Sequence, residues 1–263
     1  RDQPRSRGLG DVYKRQHSDR LLRENNEKMR QDFTANVSHE LKTPLTSISG
    51  YAELIETGIA KPADVPEFGR KIHVEASRMI QLVNDILQLS HLDSVSETHA
   101  QPDMETVDLL DVAKDCVERQ KLNAQRSFIS LTYLGESAPV LGSRALLDEL
   151  CQNLCDNAIR YNRPGGKVQI ITACTRDGHC TLTVKDNGIG IPKEAQTSVF
   201  ERFYRVDKSR SKATGGTGLG LAIVKHIARI HNARIKLDSV VDEGTTITVI
   251  CLLYTSPSPR DRG

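Results

Sequence analysis

The chain has 263 residues, 38% of them hydrophobic and 27% charged, with a formal net charge of +2. That length accommodates one large domain or two modest ones. No apolar run approaches the ~20 residues of a membrane span, and the 4% aromatic content without tryptophan argues against stacking platforms for single-stranded nucleic acid.

The two ends read as foreign to the fold. One nucleotide string encodes SRGLGDVYKRQ (Ser6 to Gln16), and its reverse complement encodes CLLYTSPSPRD (Cys251 to Asp261). The string resembles a transposase-library sequencing adapter, so residues 1–16 and 251–263 are set aside as scars. Taking away their seven basic and three acidic residues leaves 29 against 31, a net charge of −2. Such a balance calls for neither nucleic acid nor an anionic membrane as partner.

Residues 17–30 (HSDRLLRENNEKMR) are charged, with sparse apolar positions at Leu21, Leu22 and Met29, and read as a helix running into the stretch Phe33 to Gly50. There Phe33, Val37, Leu41, Leu45, Ile48, Ala52 and Ile55 recur every three or four positions, the period of one buried helix face. His39 falls outside that stripe and should face solvent, with Glu40 directly after it. Pro44 removes a backbone donor and is expected to bend the helix just beyond the histidine. An exposed imidazole near its neutral form is a usable nucleophile, and Glu40 could orient it or take its proton. On its own, such a histidine is read as well as a surface residue. The helix should reach Thr57, with Gly58 as its C-cap and Pro62, Asp64 and Pro66 in a short turn.

A second helix, Pro66 to Leu92, carries Phe68, Ile72, Ala76, Met79, Val83, Ile86 and Leu89 on one face. The two helices form an antiparallel hairpin, and a domain is placed at residues 17–95. Its apolar stripes are too wide for one hairpin to satisfy. Pairing of two copies into a dimeric four-helix bundle is expected, with packing on the downstream domain as the alternative.

Ser94 to Pro102 is polar and turn-prone, and a linker is placed at residues 96–104. From 105 to 250 the pattern is mixed. Helices are read at Val107 to Ala124, Ser143 to Tyr161 (Ser143 as N-cap) and Gly218 to His231. Strands are read at Phe128 to Tyr133, Pro139 to Leu141, Val168 to Cys174, Thr181 to Lys185, Ile235 to Ser239 and Thr245 to Ile250, with a turn at Arg176-Asp177-Gly178. Hairpin-linked strands mixed with helices predict an α+β sandwich, one sheet with helices on one face. The six cysteines include Cys151 and Cys155 one helical turn apart, but no second Cys/His pair at zinc-finger spacing. They are read as small buried residues of a reduced, cytosolic protein.

Three stretches of this region carry chemistry. In NLCDNAIRYN, Asn153 to Asn162, the residues Asn153, Asn157, Arg160 and Tyr161 fall within about two helical turns and can line one side of a cleft. An asparagine carbonyl suits Mg²⁺, which keeps its remaining coordination with water and phosphate. In DNGIGIP, Asp186 to Pro192, a carboxylate at a strand end can accept from an exocyclic amine such as that of adenine, and Gly188 and Gly190 permit close backbone approach and positive φ. In GGTGLGLAIV, Gly215 to Val224, the glycines at 216, 218 and 220 lead into a helix whose N–H groups can hold a polyphosphate. It is neither a Walker loop nor a dinucleotide fingerprint. Between the last two lies Phe200 to Gly216, whose basic tail suits a lid over phosphates, with Phe200 and Phe203 as anchors.

With these motifs in order, the chain resembles the transmitter region of a sensor histidine kinase of a bacterial two-component system, over roughly residues 20 to 250. SHELKTPL resembles the phosphoacceptor motif. NLCDNAIRYN, DNGIGIP, FERFYR and GGTGLGLAIV resemble the N, first glycine, F and second glycine boxes of the GHKL-type ATP-binding domain. The resemblance implies a helical hairpin followed by an α+β sandwich ATP-binding domain at 105–250. It implies that His39 attacks the γ-phosphate of ATP with Glu40 as orienting base, and that the phosphate then passes to an aspartate on a response regulator receiver domain. Asn157 is implied as the Mg²⁺ ligand, with Asn153 on the same helix and Tyr161 against the nucleotide. Arg160 stands where the family commonly has lysine, which keeps the charge but changes phosphate geometry. Asp186 resembles the adenine-binding carboxylate, with Gly188 and Gly190 shaping its pocket. Arg205 resembles a lid arginine near the γ-phosphate. Gly216, Gly218 and Gly220, with Leu219 among them, resemble the phosphate loop, and Thr245 a residue close to adenine. Glu40 and Thr43 fit the family's H-E-x-x-T pattern, which implies a second, phosphatase activity toward the regulator with Thr43 positioning the water. The family further implies a homodimer and the cytoplasmic portion of a membrane-bound sensor whose spans lie upstream. The alternatives are a GHKL-type ATPase acting as a conformational machine, which would lack the phosphoacceptor hairpin, and an inactive dimerising scaffold.

Overall fold

One helix, α1 (Arg5–Glu56), makes up the first fifth of the computed structural model. The structure describes residues 5–98, 103–175, 178–206 and 216–252. Two compact units divide it, one through Ile80 and the other from Gln81 on.

In the first unit α1 runs antiparallel to the start of α2 (Val65–Thr98). The side chains that α1 turns inward are Val37, Leu41, Pro44, Ile48, Tyr51 and Ile55, spaced alternately by four and three. That is the seam spacing of paired helices. Two residues of the expected stripe depart from it: Leu45 and Ala52 are exposed, and the seam uses Pro44 and Tyr51 instead. A buried proline is tolerated on the seam because its ring is apolar, whatever it costs the backbone ladder. On α2 the inward residues include Phe68, Ile72, Ala76 and Met79. Near the turn, the Tyr51 and Phe68 rings lie 5.3 Å apart with the Lys71 ammonium over both. Farther along, Arg78 Nη2 stands 3.5 Å from Glu40 Oε2. The turn closes as expected at Gly58, whose φ is +72°. The Gly58 N–H donates to the Ile55 carbonyl and the Ala60 N–H to that of Leu54, which caps the last carbonyls of α1. Leu45, Val74 and Ile80 stay exposed on this hairpin.

The second unit begins with the rest of α2, where Leu82, Asp85, Leu89 and Leu92 form a buried stripe. Val83, expected on that face, is exposed. Helix α2 extends to Thr98, past the expected end at Leu92; residues 99–102 of the expected linker lie outside the described residues. A short strand absent from the sequence reading follows, β1 (Glu105–Asp108), paired antiparallel with β3 (Pro139–Gly142). Only then does α3 (Leu109–Arg126) begin, because Asp108 caps it: Oδ1 accepts from the Leu110 N–H at 2.9 Å. The expected single sheet is therefore one five-stranded sheet plus this two-stranded ribbon.

The main sheet has the order β2 (Ser130–Gly135), β4 (Lys167–Cys174), β5 (His179–Asp186), β7 (Gly244–Leu252) and β6 (Arg234–Val240). The β2–β4 pair is parallel and the others antiparallel. Val168, Ile170, Leu182, Val184, Ile247 and Val249 alternate onto the buried face, and α3, α4 (Arg144–Arg160) and α5 (Gly220–Ile230) cover it with Val112, Leu150, Leu154, Ile223 and Ile227. Ser143 occupies the N-cap of α4, but its hydroxyl makes no capping bond; its N–H donates to His231 Nε2 at 3.0 Å. Strand β7 runs two residues past the expected end at Ile250, since Cys251 continues the inward alternation opposite Cys180.

The reading of all the cysteines as reduced fails at one pair. Cys174 and Cys180 are joined in a disulfide, not held as separate thiols. They are register partners across the β4–β5 hairpin, with Cα atoms 4.2 Å apart, so the hairpin itself delivers one sulfur to the other. Cys116, Cys151, Cys155 and Cys251 are buried and free. The turn residues 176–177, the basic segment 207–215 and the tail 253–263 lie outside the described residues.

Candidate functional site

A cavity of about 1010 Å³ opens in the second unit between α4, the loop after β5, the glycine turn before α5, and the start of β7. It stands at the top of the ~300–1,000 Å³ range of small-molecule sites, room enough for a nucleoside triphosphate. The four-then-three spacing of Asn153, Asn157 and Arg160 places all three on one face of α4, and all three line the cavity with Tyr161. Asn153 is held in place, its Nδ2 donating to the Glu149 carbonyl at 3.0 Å. Asn157 makes no such bond among the described residues, so its amide oxygen is free for a ligand.

The loop after β5 is anchored at both ends. Asp186 Oδ1 accepts from the Gly188 N–H at 2.8 Å and from the Thr245 N–H at 3.1 Å. Both bonds fall on one oxygen, which leaves Oδ2 for an exocyclic amine. Burial pushes the Asp186 carboxyl above its ordinary pKa, and those two N–H bonds oppose the shift. The two glycines serve different needs. A Cβ at Gly188 would stand 2.4 Å from the Tyr161 carbonyl oxygen, so this residue must cross α4's end closely. Gly190 has φ +69°, and a Cβ there would meet the Val240 carbonyl oxygen at 2.0 Å. The Ile189 N–H donates to the Tyr161 carbonyl and the Ile191 N–H to Ser239 Oγ, which tie the loop to α4 and β6.

The glycine turn completes the wall. Gly216, Gly218 and Gly220 line the cavity; Leu219 is fully buried beneath it and caps α5. Gly218 has φ +75° and accepts the Phe203 N–H at 2.9 Å. A Cβ at Gly220 would stand 2.9 Å from Asn153 Oδ1, so the absence of a side chain there is what lets α5 start against α4. Arg205 and Thr245 line the cavity; Gly188 supports it from behind. Sequence reasoning missed Asp85, Thr217, Gln81 and Ser239. Ser239 bridges the Gly244 carbonyl and the Thr245 hydroxyl, each at 2.9 Å. Thr217 lies within the glycine-rich stretch but was given no role there, and the other three belong to no pattern that spacing alone would single out.

In the first unit His39 is exposed on α1, outside the seam. Glu40 is 28% exposed in its ion pair with Arg78, and the Thr43 hydroxyl donates to the His39 carbonyl at 3.2 Å.

Residues 29–95 match the family described as His Kinase A (phospho-acceptor) domain, and residues 142–255 that described as Histidine kinase-, DNA gyrase B-, and HSP90-like ATPase. The solved structure of a mycobacterial sensor histidine kinase, MprB, is 31% identical, with a TM-score of 0.50 over 57% of this chain and 97% of that one. The chain belongs to the sensor histidine kinases. His39 falls inside the phospho-acceptor match and every cavity residue from Asn153 to Thr245 inside the ATPase match. The sensor-like histidine kinase SenX3 of Mycolicibacterium smegmatis is 43% identical over 235 residues, 88% of this chain and 59% of that protein. The chain thus spans about three fifths of that curated relative. Histidine kinase ThkA, solved in complex with response regulator protein TrrA, shares the fold at a TM-score of 0.68 and 20% identity, over 91% of this chain and 66% of that one.

A cation would be held here without a dedicated cage. Among the described residues no group of three or more His, Cys, Asp or Glu is arranged around a metal position. One free amide oxygen at Asn157 beside a phosphate-sized space fits Mg²⁺, which takes few protein ligands and completes its shell with phosphate and water. Among the described residues no helix is long and apolar enough to cross a membrane.

Proposed function

We propose that the chain is an ATP-dependent protein histidine kinase that phosphorylates His39 and passes the phosphoryl group to an aspartate of a response regulator receiver domain. The observation that carries the reading is the cavity itself: a half-buried Asp186 with one free oxygen at one end and a glycine turn opening α5 at the other, as an adenine and a polyphosphate require. Asp186 Oδ2 accepts from the adenine amine. Tyr161 lies along the base, and Arg160 and Arg205 balance phosphate charge. The N–H groups of the glycine turn and of the α5 N-terminus hold phosphate oxygens. Asn157 offers its oxygen to Mg²⁺, which neutralises charge on the phosphates when bound.

In the transfer an imidazole nitrogen of His39 forms a bond to the γ-phosphorus as the bond to the ADP oxygen breaks. Glu40 orients the ring and accepts the proton that the imidazole gives up. The protein contributes position and electrostatics rather than covalent help. An aspartate carboxylate oxygen of the receiver domain then bonds to the phosphorus as the P–N bond breaks, which forms an acyl phosphate and regenerates the imidazole. In the second, phosphatase activity Thr43 would position a water that attacks the regulator's aspartyl phosphate and releases inorganic phosphate. The exposed Leu45, Val74 and Ile80 support a homodimer in which two hairpins bury them in a four-helix bundle.

Incubation with γ-labelled ATP tests the reading. Acid-labile, base-stable label is expected on the wild type and not on His39→Gln, and label should move to a receiver domain. A wild type that binds ATP but takes no label would favour the dimerising scaffold; steady ATP hydrolysis without label would favour an ATPase machine.

A further inference from the structure

The buried stripe of α2 runs Leu82, Asp85, Leu89, Leu92, and its second member is a carboxylate. Asp85 is 7% exposed, and an apolar residue would complete that face without the cost of desolvating a charge. Burial pushes its carboxyl above the ordinary pKa, while hydrogen bonds from Thr217 and Gln81 and the charge of Arg160 oppose the shift. Those partners point to a task. Asp85 Oδ2 accepts the Thr217 hydroxyl at 2.5 Å, and Oδ1 accepts from Gln81 Nε2 at 2.7 Å. Thr217 sits between Gly216 and Gly218, and its Oγ1 accepts the Leu219 N–H at 3.3 Å. A run of hydrogen bonds therefore leads from α2 into the middle of the glycine turn.

A second anchor lies about two turns along the same helix face. Asp93 takes Arg202 Nη2 with both carboxylate oxygens at 2.8 Å, and His226 Nδ1 of α5 stands 3.4 Å from Asp93 Oδ1. Arg202 immediately precedes Phe203, whose N–H donates to Gly218. The glycine turn and the Arg202-Phe203 segment are thus fastened to each other, and each is fastened to α2.

We propose that Asp85 is a positioning residue for nucleotide binding: through the Thr217 hydroxyl it holds the Gly216–Gly218 turn in the conformation that receives the phosphates, with Asp93 holding Arg202 as a second anchor. This rests on the reading of the cavity as an ATP site. A hydrogen bond to a charged acceptor, lost from a buried turn, carries over to the ligand that the turn organises. Titration of the full chain with Mg-ATP, alongside thermal unfolding, tests it. Asp85→Ala and Thr217→Val are each expected to raise Kd about tenfold. The double variant should be no weaker than either single one, because both remove the same bond. Thr217→Ser should recover most of the affinity lost in Thr217→Val, and Asp85→Asn, which keeps an acceptor, should lose less than Asp85→Ala. A role confined to folding predicts the opposite pattern, with lower melting temperatures and unchanged Kd. The proposal is overturned if folded Asp85→Ala and Thr217→Val bind within about twofold of wild type, if their losses add, or if label on His39 rises while affinity stands. A wild type that binds no nucleotide overturns the reading of the cavity and this proposal with it.

Discussion

Replacing Asp186 by asparagine separates recognition of the base from stability of the fold. The two backbone bonds to this side chain, from Gly188 at 2.8 Å and Thr245 at 3.1 Å, both end on Oδ1. An asparagine can keep both with its carbonyl oxygen. Burial already disfavours the charge here, so removing it relieves a cost, and the melting temperature of Asp186→Asn should stay close to that of wild type. The other oxygen becomes an NH₂ group and meets the adenine amine donor to donor. Losing one hydrogen bond to a charged acceptor is worth about 1.5–3 kcal/mol, which corresponds to roughly 10–100-fold in Kd for ATP. A guanine presents a carbonyl oxygen at the equivalent place, so preference for ATP over GTP should shrink as well. Calorimetric titration with each nucleotide, with unfolding curves in parallel, measures both effects. If Asp186→Asn were to bind ATP within about twofold of wild type, the assignment of Oδ2 to the base would fail.

Gly190→Ala should lose more than about 2 kcal/mol of stability and most nucleotide affinity, because positive φ and a 2.0 Å approach to the Val240 carbonyl coincide there. Gly58→Ala, at φ +72° with open space around it, should cost only about 1 kcal/mol, and equal losses at the two sites would refute the steric argument. Glu149 sits beside Asp85, and burial followed by that neighbouring charge raises its pKa to about 7. A carboxyl raised in the folded state binds its proton more tightly there than in the unfolded chain, so its contribution falls as pH rises from about 4.5 to about 7. Glu149→Gln should flatten that slope and stabilise the protein above neutrality by about 1–2 kcal/mol after allowance for solvent; an unchanged slope in unfolding curves would count against it. Reduction of Cys174–Cys180, which closes a loop of sequence separation 6, should cost about 2 kcal/mol, and a Cys174→Ser/Cys180→Ser variant should not respond to reductant. Titration of the denatured, oxidised chain should find the four free thiols of the structure, and six would refute the bridge.

The helical hairpin was legible because two long stretches keep a three-and-four spacing that only a helix face satisfies. What that spacing cannot decide is which of two adjacent apolar positions lies on the seam, and so Leu45 and Val83 were placed inward where Pro44 and Leu82 go. The residues around the cavity were legible for another reason. Glycines, asparagines and a strand-end aspartate occur there in runs that an ordinary core does not use. Strand β1 escaped notice because four residues are too few to display a period, and Asp108 announces a helix start as strongly as it ends a strand. The disulfide escaped because it depends on the register of a hairpin, which sets Cys174 opposite Cys180 only once β4 and β5 are paired. Asp85 escaped because it sits in an apolar stripe and finds Thr217 at a sequence distance of 132 residues, a pairing that no local pattern encodes.

The placement of Leu82, Leu89 and Leu92 bears on where a fragment holding the nucleotide-binding half should begin. Leu89 and Leu92 are almost wholly shielded from water, and the second compact unit already starts at Gln81. An expression fragment trimmed to the sheet and its three covering helices would bare the surface those leucines occupy and discard both anchoring aspartates. It should be stickier and poorer at holding its ligand than one whose first residue is near 81.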